Sequence, residues 1–387
     1  MNYFKILRFL QYGDKGLFDV SIEDQRAFLN KLDMPEDDID RSYNQYQCQN
    51  YFVSRRKQVL FDVVSVFALP FLVVFLLIKR IGNRKGQSVE AIFESMNMLE
   101  IVPTELYDKY AFAEECWDVK PSLSVRDLAY GWRIYKKAPL HCYFTLKSLI
   151  NVARYSALIW KYTPRVIIRH SEYSFSSSLL TEYCHQHHVK HINVMHGEKL
   201  FFIRDAYFHF DECYVWSEHY AMLFKSLKAE PNQFKIAIPP SMKINVDQHQ
   251  NPNVYADYKY YLAQYSEEQL RSIVKSLRFV IQQGKSVKYR PHPRYSNMDI
   301  LKDYVSEEEI EYPQYVSILE SISNMEYAVG SYTTVLSQAW FSGKNIILDD
   351  VTFKDQYEHL EELSYSLIGE HCLRLSELNS KNNETVD

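Results

Sequence analysis

The amino-acid sequence predicts an α/β protein: two Rossmann-like, doubly wound domains facing a cleft, preceded by a helical, membrane-affine extension. Three observations lead there. From about residue 90, short apolar runs such as R-V-I-I-R (Arg165–Arg169) and N-I-I-L (Asn345–Leu348) alternate with longer stretches at helical spacing, the grammar of parallel βα units. Pro239-Pro240 interrupts the alternation, which then resumes. Ahead of it all stands Val59–Ile78, twenty residues broken only by Asp62, Ser65 and Pro70. The expected domains are therefore an extension over 1–95 with its apolar helix at 59–78, a first α/β domain over 96–238, and a second over 239–387.

Size and composition agree. A chain of 387 residues exceeds one ordinary domain, and 47% hydrophobic with 24% charged residues is a globular balance. Glycine is scarce at 10, and neither G-x-G-x-x-G nor G-x-x-x-x-G-K-[ST] occurs, which argues against a glycine-rich dinucleotide or P-loop site. A net charge of −5 does not favour nucleic acid as a partner. Six cysteines lie scattered without a C-x-x-C pair, a pattern of reduced thiols in a cytoplasmic protein rather than of a disulfide framework or zinc site. Met1–Asp19 mixes charged with apolar residues and does not read as a signal peptide.

In chain order, the acidic run Glu36–Asp40 contains a D-x-D that reads as a helix start, where acids suit the positive end of the dipole. Val59–Ile78 is flanked by Arg55, Arg56 and Lys57 before and by Lys79, Arg80, Arg84 and Lys85 after. About twenty apolar residues just span a bilayer, but an internal Asp and Pro and positive charge at both ends fit a helix lying in the headgroup region better. A buried core helix and a true span are the alternatives. Strands are then expected at Met98–Val102, Arg165–Arg169, His191–Met195, Cys213–Trp216 and Lys235–Ile238. Helices are expected after Pro103, over Leu146–Tyr162, and from the serines at 176–178 through His188. In the second half, Phe279–Ile281, Lys285–Tyr289, Tyr327–Val329 and Asn345–Leu348 read as strands, with a helix over Val335–Phe341.

The chemistry concentrates in loops at expected strand ends. V-K-Y-R-P-H-P-R (Val287–Arg294) crowds Arg290, His292 and Arg294 around Pro291 and Pro293, which hold the backbone extended. S-Y-T-T (Ser331–Thr334) precedes a helix, so that hydroxyls and free N–H groups there can hold a phosphate, which the nearby Arg and His neutralise. Earlier, His196-Gly197-Glu198 follows a strand, and a loop imidazole or carboxylate can act as general base. Glu172 is a further candidate on the acceptor side. His185, His187 and His188 are spaced poorly for one metal and suit a helix C-terminus. No metal site is expected.

The H-G of His196–Gly197, the R-P-H-P of Arg290–Pro293 and the S-Y-T-T of Ser331–Thr334, in that order over two α/β halves, resemble bacterial GT-B glycosyltransferases of surface-polysaccharide synthesis. The nearest patterns are sialyl- and polysialyltransferases, capsular Kdo transferases and CDP-glycerol glycerophosphotransferases. The resemblance covers roughly Arg165–Asp350. It implies that His292–Pro293, with Arg290, Arg294, Ser331, Thr333 and Thr334, binds the nucleotide phosphate, and that the acceptor binds the first domain. It implies His196 as base, as in the glycerophosphotransferase loop. The D/E-D/E-G base motif of the sialyl group is missing here, so His196, Glu198 and His292 all stay catalytic candidates. The implied activity is inverting, metal-independent sugar transfer from a CMP-activated acidic sugar to a lipid-linked or surface glycan, without a cofactor, on the inner face of the cell membrane. A CDP-polyol phosphotransferase and a non-catalytic polysaccharide assembly protein are the alternatives.

Overall fold

The structure, a computed structural model, describes residues 14–82, 85–93, 100–112, 119–370 and 372–378. It divides into two compact units. The first runs to His196 and resumes over Phe201–Ile238; the second takes Gly197–Leu200 and the chain from Pro239 onward.

In the first unit, helices α1 (Ile22–Lys31), α2 (Asp38–Asn50) and α3 (Arg55–Ile81) lead to strand β1 (Ala91–Phe93). Then come α4 (Asp127–Lys137), α5 (Cys142–Tyr162), β2 (Val166–Arg169), α6 (Ser177–Gln186), β3 (Lys190–Val194), β4 (Glu212–Val215), α7 (Glu218–Ser226) and β5 (Phe234–Ile236). The five strands are parallel in the order β1-β2-β3-β4-β5, and Phe112 forms a further parallel bridge to Ala91 on the other side of β1 from β2. β2 and β4 are buried throughout, as parallel strands covered on both faces must be, which is why they read as continuous apolar runs. Ile167 faces one side of β2, into a core with α2 to α6, while Val166 and Ile168 face the other.

The extension is not a separate body. Ile39, Tyr46, Phe61 and Leu76 share one core cluster with Leu149, Val152 and Ile167, and β1 pairs with β2. Sequence periodicity gave no sign of this docking, because the partners lie about 70 to 130 residues further on. Of the strand expected at Met98–Val102, residues 98 and 99 lie outside the described residues and Ile101 sits in a 3-10 turn. The acidic run behaves as a helix start: the Asp37 carboxylate accepts from the Asp40 N–H and caps α2.

The apolar helix resolves into two faces. Phe61, Ser65 and Leu76 are buried, and Leu69, Leu72, Val73 and Leu77 pack beside them against the first unit's core. The intervening stripe carries Val63, Val64, Phe67, Phe71, Val74, Phe75 and Ile78, all more than half exposed. That exposure rules out a fully buried core helix. Asp62, the costly residue in the run, belongs to neither apolar face: its carboxylate accepts from the Tyr143 N–H at 3.0 Å and caps the start of α5.

The second unit holds β6 (Ala256–Tyr261), α8 (Glu267–Gln282), β7 (Val287–Arg290), β8 (Met325–Gly330), α9 (Thr334–Phe341), β9 (Asn345–Leu348) and β10 (Leu373–Arg374). All pairings are parallel, in the order β10-β9-β8-β6-β7. The chain steps from β6 to β7 on one side and then returns to place β8 on the other, so the winding reverses between β6 and β8. The strand expected at Phe279–Ile281 is instead the last turn of α8, a strongly amphipathic helix started by a Ser266–Gln269 capping box.

Candidate functional site

In a parallel sheet with a winding reversal, the two loops leaving the reversal point diverge, and ligands bind in the crevice outside the strands' carboxyl ends. Here those loops are Leu262–Tyr265 after β6 and Ser331–Thr333 after β8. They enclose a cavity of about 240 Å³ lined by Tyr261, Gln264, Tyr265, Ser331, Tyr332 and Gln356, among others. The R-P-H-P loop leaves the neighbouring β7 and is tied to the same edge: the Ser296 hydroxyl donates to the Ala263 carbonyl at 2.9 Å and accepts from the His292 N–H at 2.8 Å.

His292 is set as a neutral hydrogen-bond donor. The Arg294 backbone N–H donates to its Nδ1 at 3.1 Å, which leaves the proton on Nε2. Partial burial, then the Arg294 charge, lowers its pKa, so the ring is uncharged at neutral pH. Its ring stacks on Tyr295 at 4.5 Å. Arg294 and Pro293 are exposed beside it. At the second loop Thr333 is the N-cap of α9 and its hydroxyl accepts from the Val335 N–H at 3.4 Å, a long bond. Thr334 opens the helix, and Ser331 donates to Gln356 at 2.8 Å.

Arg290 does not belong to this group. Its side chain is buried, donating to the Glu311 carboxylate at 2.7 Å and to the Val316 carbonyl at 2.9 Å. Glu311 also accepts from Lys259, which is fully buried, and from Ser321. The physical reason is strand parity. Tyr289 and Arg290 point to opposite faces, and an Arg on the last strand residue meets a buried acid before it meets the loop. Lys259 and Arg290 thus share one carboxylate in the interior of the second unit, while the buried Asp349 carboxylate at the end of β9 accepts from the Tyr260 hydroxyl.

The H-G segment divides between the units. His196 ends the first-unit portion, exposed, with its ring 5.6 Å from that of His170 at the end of β2. Gly197 follows at φ +74°, the left-handed region, which makes glycine the residue of choice for this turn. Glu198 belongs to the second unit rather than the first, where its carboxylate accepts from Ser337 at 2.5 Å and from Ser366 at 3.2 Å. Glu172 is buried in the first unit and accepts from Asn193 Nδ2 at 3.1 Å. Among the histidines near residue 187, His185 pairs with Asp211 at 2.6 Å. Gln264, Tyr265 and Gln356 had no signal in the sequence, since nothing local marks a cavity wall.

No family model matches the chain, and no curated protein matches it. Among solved structures it is similar to the glycotransferase of kitacinnamycin (TM-score 0.46, 9% identity, covering 78% of this chain and 90% of that one). It is also similar to a putative UDP-N-acetylglucosamine 2-epimerase from Listeria monocytogenes (0.43, 12%, covering 72% and 82%). A third is the wall teichoic acid polymerase TagF, H444N variant (0.42, 10%, covering 72% and 74%). At such scores the functional reading has to rest on this chain's own residues.

Proposed function

We propose that the protein is a GT-B glycosyltransferase that takes its sugar from a nucleotide donor bound to the second unit. The observation that carries this is the cavity at the β6/β8 reversal, lined by Ser331, with the neutral His292 donor and exposed Arg294 on the loop leaving β7 and α9 starting from the loop leaving β8. Directed N–H and O–H groups from His292, Thr333 and Thr334, together with Arg294, would stabilise the charge that gathers on a departing nucleotide phosphate.

The donor in this reading is a CMP-activated acidic sugar, in keeping with the R-P-H-P and S-Y-T-T loops, and the reaction is inverting and metal-independent. The acceptor hydroxyl oxygen attacks the anomeric carbon, the bond from that carbon to the phosphate oxygen breaks, and CMP leaves. The acceptor's proton goes to His196. That residue is favoured over Glu198, whose carboxylate already accepts two serine hydroxyls. The acceptor would be a lipid-linked or surface glycan. The exposed apolar face of α3, with Arg55, Arg56 and Lys57 at one end and Lys79, Arg80 and Lys85 at the other, fits peripheral attachment to an anionic inner leaflet.

The His196-Gly197 turn also favours a second reading, a CDP-polyol phosphotransferase, in which the acceptor oxygen attacks phosphorus instead. A donor screen separates the two: both release CMP, but only the glycosyltransferase delivers sugar without phosphate. Activity with neither CMP-sugars nor CDP-polyols, and with no other nucleotide sugar, would leave the non-catalytic assembly protein.

A further inference from the structure

The first unit contains a second, smaller cavity of about 100 Å³, between α2, the start of α5, the loop after β2 and the segment around Arg204. Its wall includes Lys15, Lys147 and Arg204, and no aspartate or glutamate. Neither Lys147 nor Arg204 has a carboxylate partner among the described residues; Arg204 lies over the Tyr173 ring, its guanidinium carbon 5.8 Å from the centroid. Lys147 and Arg204 are half-buried cations on the wall of one cavity, where an opposite charge is favoured. The Tyr143 hydroxyl, on the same wall and more than nine-tenths buried, makes no hydrogen bond. Buried hydroxyls are normally satisfied, so a donor without a protein partner beside these cations suits an oxyanion acceptor.

We propose that this cavity is an oxyanion site, taking a phosphate or carboxylate group between Lys147, Arg204 and the Tyr143 hydroxyl. Two of its walls are the loops leaving β2 and β3 at their carboxyl ends, the edge at which α/β sheets bind ligands. Assigning the anion to the acceptor, as a phosphate or acidic sugar of the growing glycan, rests on the transferase reading; the site itself does not.

The charges around the cavity set a pH dependence for anion binding. Burial, then the Arg204 charge, brings the Lys147 ammonium down to about 8. The other charged or titratable groups facing the cavity are Lys15 and Arg204, both cationic, and Tyr46, Tyr143 and Tyr173. Burial pushes Tyr143 up to about 12 and Tyr46 higher, so both stay protonated donors. Lys147 alone changes charge near neutrality, and affinity for an anion should fall as pH rises from 7 to 9.

The test is calorimetric titration of the full chain with inorganic phosphate, pyrophosphate and acetate at low ionic strength. Lys147→Met, Arg204→Gln and Tyr143→Phe are compared, with CMP binding measured on each variant. Loss of one charge-assisted contact should weaken anion binding about tenfold or more in the first two variants. With acetate, whose own charge is constant from pH 7 to 9, the decline above pH 7 should disappear in Lys147→Met. Tyr143→Phe removes only a hydroxyl and serves if a charge variant fails to fold. Pyrophosphate binding with weak acetate binding points to a phosphate source, and the reverse to an acidic sugar. Equal affinity in all variants, or no anion binding by the wild type, overturns the proposal. Anion binding without nucleotide binding sinks the transferase reading alone, while nucleotide binding without anion binding sinks the cavity alone.

Discussion

Replacing Phe67 and Phe71 together by serine should release the protein from anionic vesicles without unfolding it. The two rings are 70% and 78% exposed, so they contribute little to the core. A phenylalanine presents about 200 Å² of surface, and at about 25 cal/mol per Å² the exposed portions of the two rings amount to roughly 7 kcal/mol of transfer free energy. An interfacial helix buries such a face only partly, so about 3 kcal/mol is a reasonable realised share, or a loss of roughly a hundredfold in partitioning. The assay is co-sedimentation with vesicles of mixed neutral and anionic phospholipid, beside a thermal melt followed by circular dichroism. Added salt should weaken wild-type binding, because the basic residues at both helix ends act within a Debye length of the headgroups. Leu76→Ser provides the contrast: Leu76 is 3% exposed, and its loss should lower the melting temperature. Undiminished sedimentation of the Phe67/Phe71 double variant, or no sedimentation of the wild type, would refute the membrane-face argument.

Further expectations concern the two interiors. Glu311→Gln strands Lys259 and Arg290 without a counter-charge and should cost about 3–5 kcal/mol, read as a shift in the denaturant midpoint. Gly197→Ala forces a Cβ into φ +74° and should cost about 1–2 kcal/mol, again by denaturant melt, although nothing lies near enough to clash. Stability should fall as pH drops below about 6.5. His191 is fully buried between Tyr155 and Thr181, and burial, then Arg169, holds its pKa well below the ordinary value; His187 and His292 are also lowered. The unfolded chain then binds protons that the native state does not, so unfolding becomes easier on acidification. A melting temperature that stays flat from pH 7 to 5.5 would contradict this.

The parts of the fold legible in the sequence are those whose causes are local. β2, β3, β4 and β9 announce themselves as apolar runs because both their faces are covered, and Pro239-Pro240 falls where the second unit takes over the chain. β6 was invisible. A-D-Y-K-Y-Y carries a lysine and an aspartate, and only Glu311, far along the chain, makes it possible to bury Lys259. Phe279–Ile281 misled because a three-residue apolar cluster has no period, whereas the capping box at Ser266 sets the helix that contains it. At the candidate site, the sequence shows which loops leave the strand ends but not the directions of their side chains. Arg290 sits two residues from His292 and points into a buried ion pair. Glu198 sits two residues from His196 and is held by serines of the second unit.

The most direct test is calorimetric titration of the protein with CMP, CDP, UDP and GDP, repeated with His292→Ala. Micromolar binding of a cytidine nucleotide is expected, weakened about tenfold or more in the variant because a directed donor to the phosphate is lost. Preference for UDP or GDP would keep the second unit as a nucleotide site and contradict the CMP-sugar donor. Failure to bind any of the four would contradict the transferase reading itself.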